Sequence, residues 1–310
     1  MNLFSKSPRP GWLCLNLYPD RVDLSHVLVA GKPRPEVLLC ESFRKEGDEV
    51  ETLKRLRREL NLGRYHCMTL LKPREYQLFP VDTPKVPATE ARSAVRWSIK
   101  DMLDYPVESA MVDALHVPAS DGSAQSSQML VVAARNELIA ETVKPFNDAD
   151  IELDVIDIPE LAQRNIAKYL EQEGRALALL CFDHDAATLT FTSGAELYQS
   201  RRIDVALKDF EDDAAAEGLR DRIALELQRS LDHFDRQFRN IAVSRVVIAQ
   251  VPGGERLAEY LNSNLTLPVE QFDLEKIMDF PGVPELRDPL RQTQCLQLIG
   301  AAMREQVPVR

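Results

Sequence analysis

Residues able to do chemistry are few in this 310-residue chain, and they are scattered. Asp183-His184-Asp185 is a tight acidic run whose donors could hold a metal ion. Three adjacent residues on a turn rarely aim at one ion, so a plain turn between strands is the competing reading. Val251-Pro252-Gly253-Gly254 sits between a predicted strand and a predicted helix. Its glycines would admit close approach of a nucleotide, or simply make a Pro-Gly turn. His26 shares an apolar strand face with Val22, Leu24 and Leu28, which is where a core histidine sits. The stretch 94–113, AVRWSIKDMLDYPVESAMVD, gathers Trp97, Tyr105 and Pro106 among acidic side chains. It reads either as packing around a helix-ending proline or as a groove with aromatic anchors for an extended peptide. The sequence holds no H-E-x-x-H, G-x-S-x-G, Walker A or dinucleotide glycine pattern.

The totals narrow the function classes. A net charge of −11, with no basic block, argues against nucleic acid or an anionic lipid surface as partner. It suits a partner segment with basic flanks. Hydrophobic residues make up 45% of the chain and charged residues 28%, so a substantial core is expected. The five cysteines are widely spaced, form no C-x-x-C and lie in or beside apolar runs. Buried free thiols in a reducing compartment follow from that pattern. No secretory signal and no membrane-length apolar run is visible, so membrane association is expected only through a partner.

The elements that must position these residues repeat once. Strands are predicted over 12–18, 21–29 and 37–43 from period-two alternation. A helix follows with Val50, Leu53, Leu56 and Leu60 at helical spacing, and Gly63 is expected to cap it. A strand over 66–71 closes the unit. The same order returns at 177–182, 187–192 and 196–203, then a long helix carrying Ile223, Leu227, Leu231, Phe234 and Phe238, then a strand over 246–249. That helical stripe is the pattern of a core-facing helix. The acidic run at 209–213 reads as a solvated lead-in to it. A helix over 256–262, a strand over 269–272 and a closing helix over 294–304 complete the chain. Between the two copies lie a strand (76–81), a helix (88–103), strands (111–117 and 129–134) around a flexible hairpin tip at 120–128, a helix (136–146), a strand (153–158) and a helix (161–170). The duplication predicts two similar α/β lobes with a cleft between them.

At these residues the chain resembles the PilM family, actin-like proteins of type IV pilus assembly, and within it the MshI branch of mannose-sensitive haemagglutinin pili. The stretches that carry the resemblance are VDTPKVPATEARSAVRW at 81–97, YPVESAMVD at 105–113, MLVVAARNELI at 129–139 and LDVIDIPELA at 153–162. LQRSLDHF at 227–234 and LIGAAMR at 298–304 extend it more thinly. The resemblance implies an α/β, actin-like fold of two ribonuclease-H-like lobes. It implies a first lobe over 1–172, with a small α/β subdomain inserted at about 82–158. The second lobe, over 173–310, lacks the family's extra helical subdomain. It also implies a nucleotide cleft, here altered at each contact. The first acidic, glycine-bearing turn is replaced by Asn16-Leu17-Tyr18-Pro19-Asp20 and the second by Cys181-Phe182-Asp183, while the adenine-side run keeps only Gly253-Gly254.

Asp20, Asp183, Gly253 and Gly254 are therefore the remnants expected in a degenerate cleft, with no cofactor required and no metal site expected. The function implied is a non-enzymatic adaptor on the cytoplasmic side of the inner membrane. It would hold the N-terminal tail of a bitopic PilN-like or MshJ-like protein against Arg96, Trp97, Met102, Tyr105 and Val107. The resemblance raises the pilus assembly ATPase as a further partner. The alternatives are an actin-like ATP–magnesium-binding protein with a drifted but working site, and an actin-fold sugar or acetate kinase, which would need the missing turns.

Overall fold

A computed structural model describes residues 9–31, 33–119, 128–210 and 216–305. The expected hairpin tip at 120–128 and the acidic lead-in at 209–213 lie largely outside the described residues. The strands are β1 (Trp12–Leu17), β2 (Arg21–Leu28), β3 (Glu36–Arg44), β4 (His66–Leu70), β5 (Tyr76–Asp82), β6 (Ala110–Val117), β7 (Gln128–Arg135), β8 (Leu153–Asp157), β9 (Ala176–Phe182), β10 (Ala187–Ser193), β11 (Glu196–Ile203), β12 (Val243–Ile248) and β13 (Val269–Gln271). The helices are α1 (Glu49–Leu60), α2 (Ala88–Ser98), α3 (Asn136–Asp148), α4 (Pro159–Ala167), α5 (Ala216–Gln237), α6 (Gly254–Asn264) and α7 (Pro289–Ala302).

The duplication expected from the strand pattern is present. One five-stranded sheet runs β3-β2-β1-β4-β8 and a second runs β11-β10-β9-β12-β13. In each, three meandering antiparallel strands are followed by two parallel ones. The central strands β1 and β9 are buried on both faces. Trp12 and Cys14 face one layer while Leu13 and Leu15 face the other, and β9 splits Leu177, Leu179 and Cys181 from Ala178, Leu180 and Phe182 in the same way. Burial on both faces is why ALALLCF is continuously apolar rather than alternating.

The insertion is a three-stranded antiparallel sheet, β5-β7-β6. It takes in β5, which pairs with β7 along its whole length, and it excludes β8, which returns to the first-lobe sheet beside β4. The insert therefore begins before 82 and ends before 153. An isolated strand shows no partner in its own sequence, so pairing alone decides this. One face of the sheet packs Val131 and Ala133 against Val95 and Ile99 of α2 and its C-terminal side.

Helix ends differ from expectation for local reasons. α1 starts in a capping box of Asp48 and Glu51, and ends at Asn61, which takes the left-handed conformation (φ 57°) expected of Gly63. Asn adopts that region more readily than other side chains. α2 stops at Ser98, well before Leu103. The Ser98 hydroxyl donates to the Val95 carbonyl at 2.8 Å, and the Ile99 amide bonds to Trp97 instead. That is the usual competition of a serine with the helix ladder. α7 starts earlier than 294 because Asp288 caps it, accepting from the Arg291 amide at 2.9 Å, with Pro289 at the first position.

The lobes exchange helices. α4, which follows the last strand of the first sheet, packs on β9, β10 and β11 of the second. α7, at the end of the second-lobe run, packs on β1, β2 and β4 of the first. The two helices cross at Gly300, whose carbonyl accepts from Asn165 Nδ2 at 2.9 Å. A Cβ at Gly300 would lie 2.4 Å from the Ala162 carbonyl oxygen. Backbone cannot swing away as a side chain can, so Gly300→Ala is expected to lose about 2–3 kcal/mol, within the range for overpacking. Chemical denaturation would read it, and an unchanged midpoint would mean the helices separate freely.

Candidate functional site

The cleft between the lobes is closed by residues of both. The turn after β1 and the turn after β9 face one another across a cavity of about 380 Å³, which Lys72, Pro159 and Gln297 also line. Tyr18 projects into it. Arg21 lies over the Tyr18 ring at 4.3 Å and reaches His184 Nε2 at 3.4 Å, while the Tyr18 and His184 rings meet edge to face at 6.2 Å. Asp23 holds the other side of the guanidinium at 3.1 Å. Burial, with Asp183 and Asp23 nearby, pushes the Tyr18 phenol far up, so it stays neutral.

Most polar groups of the two turns are committed to the chain itself, while the buried Gln297 Nε2 on the cleft wall has no partner among the described residues. The Asn16 carboxamide oxygen accepts from the Leu70 amide at 3.2 Å. The Tyr18 amide donates to the Arg21 carbonyl at 2.9 Å, and Pro19 has no amide hydrogen. Asp20 is exposed and pairs with Arg21 at 3.4 Å. Asp183 accepts from the His184 amide at 2.7 Å and so closes its own turn. Among the described residues, no cluster of three or more His, Cys, Asp or Glu could hold a metal ion.

Gly253 and Gly254 line a different cavity of about 570 Å³, with Phe210, Leu219 and Arg256. Gly253 needs its freedom for a left-handed backbone (φ 68°), and a Cβ at Gly254 would meet the Gln271 side chain at 2.0 Å. Gly253 thus has a backbone reason and Gly254 a packing one. His26 is a buried histidine, its pKa lowered by burial, with Nε2 donating to the Pro10 carbonyl at 2.9 Å.

The groove residues predicted on the insert divide. Trp97 is 54% exposed and Met102 45%. Lys100 lies over the Trp97 ring at 5.7 Å. Tyr105 is half-buried, with the Arg135 guanidinium over its ring at 4.1 Å, and its shielded hydroxyl finds no partner among the described residues. Arg96 does not face solvent freely: it donates to the carbonyls of Val107 at 2.8 Å and Glu108 at 2.9 Å. Val107 is buried, which removes it from any contact surface. Its apolar type was legible in the sequence, but its burial depends on Arg96 folding the 107–108 segment back. Met111 and Val86 are further exposed apolar residues on or beside the insert that the sequence pattern did not single out as groove residues. Of the seven exposed large apolar residues among those described, four lie on or beside this subdomain, which concentrates the chain's sticky surface there.

No family profile and no curated protein matches the chain. Solved structures do. The chain aligns over 96% of its length, and 99% of the other chain, with a PilM–PilN type IV pilus biogenesis complex, at 21% identity and a TM-score of 0.72. It aligns over 98% of its length with a Bacteroides thetaiotaomicron protein of actin-like ATPase fold, covering 100% of that chain, at 9% identity and a TM-score of 0.51. The fold is actin-like. Its second lobe passes from the short turn at Leu207–Phe210 to α5 with only residues 211–215 between. No helix among the described residues is long and apolar enough to cross a membrane.

Proposed function

We propose that this actin-fold chain is a cytoplasmic adaptor of a type IV pilus assembly platform, of the MshI branch. In this reading it binds the N-terminal tail of a PilN-like or MshJ-like bitopic protein and hydrolyses no ATP. The observation that carries the reading is the full-length likeness to the PilM–PilN complex. The insert supplies a fitting surface, with Trp97 and Met102 as exposed anchors. An extended tail could use such anchors for specificity while basic flanks met the acidic chain.

The interlobe cleft does not fit a magnesium–triphosphate. Phosphates need free backbone amides, and the first turn offers Tyr18 and Pro19 in their place. Magnesium needs converging oxygen ligands, and here Asp183 spends one oxygen on its own turn while no group of three or more His, Cys, Asp or Glu stands together among the described residues. The Tyr18–Arg21–His184 contact bridges the two turns along the wall of that cavity.

A thermal titration tests both halves. A ligand of the folded state must raise Tm. ATP with magnesium at millimolar concentration is expected to leave Tm unchanged, and a synthetic tail peptide to raise it. Trp97→Ala is expected to weaken the peptide about tenfold, since a truncated aromatic anchor costs more than 1 kcal/mol. Its own melting curve should stay near that of the parent because the ring is largely in water. A saturable nucleotide shift would restore the working-site alternative, and an unaffected peptide affinity would move the groove elsewhere.

A further inference from the structure

We propose that the cavity between the insert and the second lobe docks an extended segment of a partner protein, whose arginine or lysine side chain seats against the buried carboxylate of Glu160. The cavity measures about 570 Å³. One wall is β5, the outer strand of the insert sheet, and another is β11, the outer strand of the second-lobe sheet. An outer strand keeps one row of N–H and C=O groups without a strand neighbour, and an extended peptide can add to such an edge. Pro80 interrupts that row on β5 because it has no amide hydrogen, so β11 offers the more continuous edge. The shielded side-chain oxygens of Gln77 on β5 and Gln199 on β11, both at the cavity wall, have no hydrogen-bond partner among the described residues. Leu78 and Leu130 line the cavity from the face of the insert sheet opposite α2. Neither Trp97 nor Met102 lines it, so this place and the α2 surface can fail independently.

Glu160, in the first turn of α4, decides the chemistry of the occupant. It is only 7% exposed, yet it lines the cavity. Its carboxylate accepts from the Tyr76 hydroxyl at 2.5 Å and from the Ser200 hydroxyl at 3.4 Å. Both donors are neutral, whereas a buried charge ordinarily has a charged partner. Burial raises the Glu160 pKa, against the bonds from Tyr76, its own backbone and Ser200. The two arginines on the cavity wall are engaged elsewhere. Arg201 pairs with Glu226 at 2.6 Å, and Arg202 donates to the Pro73 carbonyl at 2.7 Å. A basic side chain entering the cavity would supply the missing counter-charge, and the net charge of −11 favours its approach. Leu78, Phe79 and Leu130 give apolar contact to the residues on either side of it.

The test uses the full-length protein and two acetylated peptide amides that alternate leucine and threonine around one central residue, arginine in the first and its neutral isostere citrulline in the second. The arginine peptide is expected to bind at least about tenfold more tightly, the low end for a buried charge pair. Glu160→Gln should abolish that difference, lowering arginine-peptide affinity to the citrulline level and leaving citrulline-peptide affinity nearly unchanged. Glu59→Gln, which removes an exposed carboxylate on α1, should preserve the difference. A photo-reactive leucine in the arginine peptide should label the wild-type chain within β5 or β11, and this readout needs no variant to fold. No binding at millimolar peptide, an arginine preference that survives Glu160→Gln, an equal loss in Glu59→Gln, or labelling confined to other elements would each overturn the proposal. Concentration-dependent self-association that the peptide reverses would make the occupant a second copy of this chain and overturn it as well.

Discussion

Replacing Arg304 with alanine is expected to cost about 3 kcal/mol of stability at pH 7, and much less as the solution is acidified, because it strands a buried carboxylate. Asp157 closes β8 in the interior, its side chain only 4% exposed, and accepts from Arg304 Nη1 at 2.7 Å and from the Ile158 amide at 2.9 Å. Arg304 is partly exposed, which places the cost at the low end of the range for a broken buried pair. The carboxyl pKa is raised: burial outweighs the lowering by Arg304, the Ile158 amide and Arg164. The native state therefore holds this proton more tightly than the unfolded chain does. That contribution to stability is full below the unfolded value and is lost as pH rises through the native one. Removing Arg304 raises the native value further, since the guanidinium favours only the ionised form. The penalty must then shrink as pH falls and Asp157 takes up its proton. Urea unfolding of both proteins across the acid range reads this directly. A penalty independent of pH would mean that Arg304 acts by packing rather than by charge.

Phe234→Ala is expected to lose about 3–5 kcal/mol, the range for truncating a fully buried aromatic side chain. Phe234 is wholly buried on α5, and its ring stacks on Phe191 at 4.7 Å. Phe238 lies 4.9 Å away and Tyr198 6.4 Å, so one deletion opens a cavity shared by α5, β10 and β11. Phe234→Leu, which keeps more of the volume, should lose considerably less. The urea midpoint should shift with an unchanged slope if only the native core is affected. A loss below 1 kcal/mol for alanine would show that the second-lobe core collapses readily around the gap.

Both effects depend on contacts of different legibility. The helical stripe containing Phe234 is visible in the sequence, because periodicity records which face of a helix avoids water. The Asp157–Arg304 pair is invisible there, since the partners lie 147 residues apart and nothing in either stretch points to the other. The candidate cleft shows the same split. The departures at Asn16, Tyr18, Pro19 and Asp183 could be read along the chain. That Arg21 reaches His184 and that Asp183 folds onto its own turn could not. On the insert, Trp97 and Met102 were legible as large apolar residues, but only burial separates them from Val107.

The sequence by itself determined the two copies of the strand–helix order, the helical and strand faces, the buried thiols and the turn chemistry, because these are short-range consequences of side-chain period and backbone freedom. The tertiary structure alone decided which strands pair, that β5 belongs to the insert and β8 does not, and that α4 and α7 trade lobes at Gly300. Those are long-range choices. They are set by which apolar faces can be buried together and by which backbone can approach closely enough, and no local stretch of the chain carries that information.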